Sequence, residues 1–275
     1  MAKIIETKIE VGAESPFKII HISDTHMTYA DMRDGERKVE LANKRSQYYR
    51  GAEEVLNLAS KTSKELSAPI FHTGDLCDFV SLANLERAKQ FVDENDVTLA
   101  AGNHEFSLYV GEAIEDAAYR NQSLAKVQAV YKNDIRAYAR RINGVSFIFL
   151  DDGYYKIDED QLDLLKKELA AGLPTVVLMH TPLYEPDLYA KERKHHDSGY
   201  LLGVPDELVD TYGSDRAKLQ RADATTWEAI GLIKNTPTVK AVITGHLHFD
   251  YEKMLDDSVL QLTTDCETVR VIEFV

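Results

Sequence analysis

The sequence predicts an α/β protein whose short buried strands carry polar groups at their carboxyl ends. Five apolar runs each finish in Asp, Asn or His. Residues 18–22 lead into Ser23-Asp24-Thr25-His26, and residues 69–72 into Thr73-Gly74-Asp75-Leu76-Cys77-Asp78. Residues 97–101 lead into Gly102-Asn103-His104-Glu105, 175–179 into His180, and 239–244 into Gly245-His246-Leu247-His248. Glycine at such a strand end lets the chain turn without a Cβ clash, and open α/β sheets place their ligands beyond the carboxyl ends of their strands. Amphipathic helical stretches lie between the runs. This is the pattern of a metal centre assembled from strand-end loops.

Along the chain, residues 4–11 alternate as a strand, and a turn over 12–16 precedes the first ligand strand. Residues 35–66 read as helical, with Ala52, Val55, Leu56 and Ala59 at i, i+3, i+4, i+7. A second helix covers 81–95, where Leu82, Leu85, Ala88 and Val92 share a face, and a third covers 111–133. Residues 136–142 and 145–150 flank Asn143-Gly144, a strong hairpin signal. Leu162, Leu165 and Leu169 define a helix over 159–170. The segment 184–224 has many charges and weak periodicity and reads as an inserted loop or cap. The tail from 249 to 275 reads as three strands, with turns at Asp256-Asp257 and near Cys266. With no internal repeat or linker, residues 1–275 are expected to form one domain.

The bulk properties narrow the function. A chain of 275 residues that is 44% apolar and 28% charged has an ordinary composition for a soluble enzyme and can bury a full core. A formal charge of −14 opposes a surface built for DNA or RNA, where phosphate neutralisation dominates binding. The first residues lack a signal-peptide core, and no apolar run approaches the ~20 residues of a membrane helix. Cys77 and Cys266 are too few for a disulfide framework. A cytoplasmic protein that does not enter the membrane is therefore expected; its oligomeric state is left open.

Asp24 and His26 stand at i and i+2, which in extended chain point the same way and can reach one ion. His246 and His248 repeat that geometry, and paired imidazoles suit Zn, Mn or Fe. Asn103 offers a neutral carbonyl oxygen, and the two oxygens of Asp75 can bridge ions about 3.5–4 Å apart.

The ordered set Asp24-x-His26, Gly74-Asp75-x-x-Asp78, Gly102-Asn103-His104-Glu105, His180 and Gly245-His246-x-His248 resembles the calcineurin-like metallophosphoesterase superfamily over about residues 17–250. The resemblance implies a four-layer αββα sandwich with two mixed sheets, and hydrolysis of a phosphate ester by a hydroxide bridging two divalent or trivalent transition-metal ions. Carried over by position, Asp24, His26, Asp75 and His248 would hold one ion, and Asp75, Asn103, His180 and His246 the other. His104 would protonate the leaving oxygen, with Asp78 orienting its ring. The implied substrate is a small phosphorylated molecule, monoester or diester; a nuclease and a non-catalytic scaffold of the same fold are the alternatives. Such a centre is locally positive, about +1, so the acidic chain does not exclude an anionic substrate. Phe79 follows Asp78 where phosphoprotein phosphatases carry a phosphate-clamping arginine, which disfavours that subfamily. Asp78 stands where purple acid phosphatases place their tyrosine ligand, so no Tyr–Fe(III) colour is expected.

Other residues take plainer readings. His21 and His72 lie within apolar strands and are expected to pack or to support ligands. Cys77 reads as a small buried hydrophobe, and Asp151-Asp152 as a cap or a support for ligands. Glu105 either orients the site or begins the next turn. Residues 191–196 read as a solvated basic loop, or as a lid meeting the anionic or polar end of the substrate. Residues 44–50 read as amphipathic helix surface.

Overall fold

In the computed structural model, which describes residues 1–110, 116–256 and 258–275, the strands divide between two mixed sheets. The first contains β1 (Lys3–Ile9), β2 (Phe17–Ile22), β3 (Ile70–His72), β4 (Val97–Leu99) and β11 (Thr268–Phe274), in the order β1-β11-β2-β3-β4. The second contains β5 (Ala137–Ile142), β6 (Val145–Leu150), β7 (Thr175–Met179), β8 (Val239–Thr244), β9 (Tyr251–Leu255) and β10 (Val259–Thr263), in the order β5-β6-β7-β8-β10-β9. β2, β3 and β4 run parallel, as do β7 and β8. Parallel register brings the carboxyl ends of neighbouring strands together, and with them the five polar loops.

Strand alternation builds the layers. Ile20 and Ile22 of β2 pack against Val55, Leu56 and Ala59 of the helix over Ala52–Leu66, α2. Ile19 faces the other way and meets Phe71, Phe147, Phe149, Leu178, Ile243 and Phe274 between the sheets. On the second sheet, Val177 and Met179 pack against Leu162 and Leu165 of α6 (Glu159–Leu169) and Ile230 and Ile233 of α10 (Ala224–Asn235). The order is helix, sheet, sheet, helix, the expected αββα sandwich. Each fully buried aliphatic or aromatic side chain here contributes roughly 1.5–3 kcal/mol.

The helices depart from expectation in instructive ways. The 35–66 stretch breaks at residues 46–51 into α1 (Glu36–Arg45) and α2. α3 (Leu82–Glu94) starts at the cap Ser81, whose hydroxyl accepts from the Asn84 amide. It buries Ala88, Phe91 and Val92 but leaves Leu82 exposed. Of the helix expected over 111–133, residues 111–115 lie outside the described residues. The remainder forms two short helices, α4 (Ala117–Asn121) and α5 (Leu124–Gln128). The hairpin and the three tail strands form as expected, with Asp257 outside the described residues.

The 184–224 segment contains α7 (Pro186–Glu192), α8 (Asp206–Val209) and α9 (Ser214–Gln220). They surround a small core of their own: Leu188, Leu201, Val204, Val209 and Tyr212. Helices of four to seven residues are too short to leave a readable period.

Candidate metal centre

Asp24, His26, Asp75, Asn103, His180, His246 and His248 converge at the carboxyl ends of β2, β3, β4, β7 and β8. Asp24 Oδ1 is buried with no hydrogen-bond partner. It faces Nε2 of His248 at 3.4 Å, of His26 at 3.8 Å and of His180 at 3.9 Å. Asp75 Oδ2 lies between His180 Nε2 at 3.3 Å and His26 Nε2 at 3.7 Å. Imidazole nitrogens press on one another: His26 Nε2 on His248 Nε2 at 3.1 Å, and His246 Nδ1 on His180 Nε2 at 3.0 Å. Asn103 Oδ1 is 3.1 Å from the same His180 nitrogen. Buried acceptors facing one another with an orphaned carboxylate oxygen among them are costly unless a cation intervenes. Oxygen and imidazole donors suit divalent transition ions, so the residues present fit the implied metals. Three groups, Asp24/His26/His248, His26/Asp75/His104 and Asp24/Asp75/His180, each bring ligand atoms within 4.8 Å of one another.

The backbone that delivers these groups is not extended. Asp24 (φ 54°), His26 (47°), Asp75 (59°), His246 (70°) and His248 (54°) all adopt left-handed conformations. The i, i+2 pairs therefore converge through tight turns, not through strand alternation. Non-glycine residues held this way cost on the order of 1–3 kcal/mol each, and such strain collects at functional sites. The turns also need close approach. At Gly245 a Cβ would collide with Ser23 Oγ and Asp24 Oδ2, so only glycine fits.

Neighbouring groups fix the imidazole tautomers. The Thr73 carbonyl takes a hydrogen bond from His180 Nδ1 at 2.7 Å, which leaves Nε2 free for an ion. His26 Nδ1 is 3.0 Å from Asp78 Oδ1, again leaving Nε2. His246 meets the buried Tyr155 hydroxyl through Nε2 at 2.9 Å; with Nε2–H donating there, Nδ1 is its free donor atom. Burial opposes protonation of His180, but Asp75 and Asp24 raise it well above an ordinary histidine. Burial lowers His246 well below that range. A neighbour that sets the ligand's tautomer and angle is typical of metal sites.

His104 sits at the rim. Its Nδ1 donates to the Asp78 carbonyl at 2.7 Å and is 3.2 Å from Asp78 Oδ1, while its ring stands edge-on to His26. Burial opposes its protonation, but Asp75 and Asp78 raise it to about 9. Asp78 is therefore shared between His104 and His26, a double role that the motif alone did not carry. It also takes two hydrogen bonds from Arg45, at 2.7 and 2.9 Å. Tyr49 stacks on His26 with centroids 4.1 Å apart. Residues 44–50 are thus more than helix surface: Arg45 and Tyr49 reach the site.

Glu105 orients the site. Its Oε2 accepts from the Asp75 amide at 2.6 Å and the Gly102 amide at 2.8 Å, and its Oε1 from the Leu76 amide at 2.8 Å. Asp152 accepts from the amides of His180 (2.7 Å) and Thr181 (3.0 Å), the supporting role expected of it. Asp151 pairs with Arg120 and Arg136. His21 bridges the hydroxyls of Thr264 and Thr73, and His72 Nδ1 accepts from the Gly74 amide. Cys77 is buried, Cys266 is partly so, and both thiols are free.

A cavity of about 320 Å³ opens over the cluster. Tyr49, Asp75, Asn103 and His104 line it from one side; Glu192, His196, Tyr200 and Arg216 line it from the 184–224 segment. The basic patch at 191–196 is divided. Lys191 lies over the Phe249 ring and Arg193 over that of Tyr212, whereas His196 faces the cavity.

Two sheets sandwiched by helices, with carboxylates, an amide and imidazoles gathered at the strand ends, define an α/β sandwich with a candidate metal centre. The calcineurin-like phosphoesterase family model matches residues 17–250, and the chain belongs to that family. Its membership supports metal-dependent hydrolysis of phosphoesters. A dimetal phosphatase from Danio rerio has the same fold, at 16% identity and a TM-score of 0.51, over 90% of this chain and 87% of that one. Similarity extends to a Thermus thermophilus protein (13% identity, TM-score 0.46, 92% and 91% of the two chains). A Candida albicans 5′-nucleotidase is also similar (13%, 0.44, 92% of this chain and 46% of that one). No curated protein is similar enough to this chain to count as a match. Among the described residues no helix is long and apolar enough to cross a membrane.

Proposed function

We propose that this protein hydrolyses a phosphate ester of a small molecule at two metal ions, Mn, Fe or Zn. Asp24, His26, Asp75 and His248 hold one, and Asp75, Asn103, His180 and His246 the other. The observation that carries this reading is the position of the two aspartates. Asp24 Oδ1 is buried and unpartnered, and Asp75 Oδ2 lies between an imidazole of each set. When bound, such ions act as Lewis acids that neutralise phosphoryl oxygens and activate water.

The chain's own residues do the rest. Asp78, the Thr73 carbonyl and Tyr155 keep His26, His180 and His246 in the tautomers that present a lone pair. His104 is tied to Asp78 through Nδ1 and lines the cavity, which leaves Nε2 to give a proton to the leaving oxygen. No side chain is needed as a covalent nucleophile. The cavity, about 320 Å³, is at the small end for ligand sites, which favours a small substrate over a polymer. The acidic charge points the same way. Residues 1–275 are read as one metallophosphoesterase domain, with 184–224 as a cap over the cavity.

The test is elemental analysis of the purified protein together with hydrolysis of p-nitrophenyl phosphate and bis(p-nitrophenyl) phosphate. Two ions per chain and metal-dependent cleavage of at least one ester are expected. A protein that binds no transition metal would sink the reading, and preferential cleavage of single-stranded or duplex DNA would replace it with a nuclease.

A further inference from the structure

The guanidinium of Arg216 is the side chain that the fold and the catalytic reading leave unused. It is half-buried, lines the cavity, and makes no hydrogen bond or ion pair with any described residue. That is unusual in a chain with 46 acidic residues against 32 basic ones. Arg45, nearer the cluster, is by contrast committed to Asp78. Arg216 is the one arginine among the lining residues, which include no lysine, so it supplies the cavity's permanent positive side chain.

Its position is defined by a row of rings. Its guanidinium carbon lies 4.9 Å from the Tyr200 centroid, and Tyr200 lies 6.0 Å from His246. Tyr200 also packs edge-on against His196, and its backbone is held at φ 47°, a strained conformation for a tyrosine. Arg216 thus stands one aromatic ring outward from the metal cluster. The 184–224 segment also brings the buried carboxylate of Glu192 to the cavity. That carboxylate lies 4.0 Å from His196 Nε2, and burial holds it up at about 7. The fixed positive charge that can accept a second anion is therefore that of Arg216.

We infer that Arg216 recognises an anionic group, carboxylate or phosphate, on the part of the substrate remote from the metal cluster, so that the preferred ester carries a negative charge beyond the one cleaved. This rests on the phosphoesterase reading above. The planar fork of arginine binds either group through paired hydrogen bonds.

The test uses Mn²⁺-loaded protein and calorimetric titration with two matched series of non-hydrolysable probes, alkylphosphonates and ω-carboxyalkylphosphonates of graded chain length. In the wild type, at least one carboxylate member should bind about tenfold tighter than its alkyl match, the size of one charge-assisted contact. Arg216→Met should abolish that ratio, and Arg216→Lys should restore part of it. An equal ratio in wild type and Arg216→Met, or no carboxylate member binding tighter than its match, would overturn the inference. If neither series binds the wild type, the phosphoesterase reading fails and this inference fails with it.

Discussion

Three groups share one carboxylate, Asp78: the imidazoles of His26 and His104 and the guanidinium of Arg45. Burial alone would raise Asp78, but hydrogen bonds from Arg45, His104 and His26 hold it far below the ordinary carboxylate range. The sharing makes the two catalytic variants differ in kind. His104→Ala should keep both metals and slow hydrolysis of an alkyl ester by roughly 10²–10⁴-fold, with a smaller loss for a p-nitrophenyl ester that scarcely needs a proton. Asp78→Asn should also loosen His26 and weaken metal binding by roughly 10–100-fold. Metal titrations of both variants decide it: unchanged affinity in Asp78→Asn would confine Asp78 to His104. All seven proposed ligands and both catalytic candidates stood in the sequence, because the motif fixes their order. Arg45, Tyr49, Tyr155 and Arg216 did not. Their contacts come from how α1 and the turn after it, the loop after β6 and α9 dock, and local spacing carries no sign of that.

At the scale of elements, two loops depend on the carboxylate of Glu105. Glu105→Gln keeps an oxygen for two of the three amides but turns its NH₂ toward a third N–H. It should destabilise the fold by about 1–3 kcal/mol, and Glu105→Ala, which loses all three bonds, should cost more. Urea midpoints give the order, and equal midpoints would mean that the loops hold themselves. The 184–224 segment has its own anchor in Glu185. Its Oε2 caps α7 at the Leu188 amide (2.8 Å) and accepts from the Tyr251 hydroxyl (2.7 Å), while its Oε1 meets Lys253 at 2.7 Å. Burial opposes ionisation, but Lys253 and these bonds lower Glu185 to about 2. A depressed carboxylate stabilises above its unfolded pKa of about 4.5, and the gain is lost as pH falls toward 2. Glu185→Ala should therefore cost about 1–2 kcal/mol at neutral pH, with the gap closing between about pH 4.5 and 2. A gap independent of pH would point to packing instead. The anchor was hidden in the sequence, since Glu185 and β9 lie more than sixty residues apart.

For the molecule as a whole, the fold was legible because strand alternation and the two buried faces of each sheet follow from side-chain periodicity. The left-handed turns at the strand ends were not, since sequence alone favours an extended reading for Asp-x-His. Those turns and the end of β7 gather Asp24, Asp75, the buried imidazoles of His26 and His180 and the partly exposed ones of His246 and His248 in one cluster, so the metal-free protein holds mutual repulsion that bound ions would relieve. An ion that binds only the folded state at a thousand times its Kd stabilises by about 4 kcal/mol. For a chain of this size each kcal/mol moves Tm by roughly 2–4 °C. Removing the ions with a chelator should therefore lower Tm by on the order of 10 °C, and adding Mn²⁺ back should restore it. Asp75→Asn, which breaks the proposed bridge, should have a Tm insensitive to both treatments, whereas His104→Ala should respond as the wild type does. A wild-type Tm unmoved by chelation would mean that the cluster is not a metal site in the folded protein. A response in Asp75→Asn equal to that of the wild type would leave the ions in place and move the bridge to another residue, with Asp24 next in line by its distances to His26, His248 and His180.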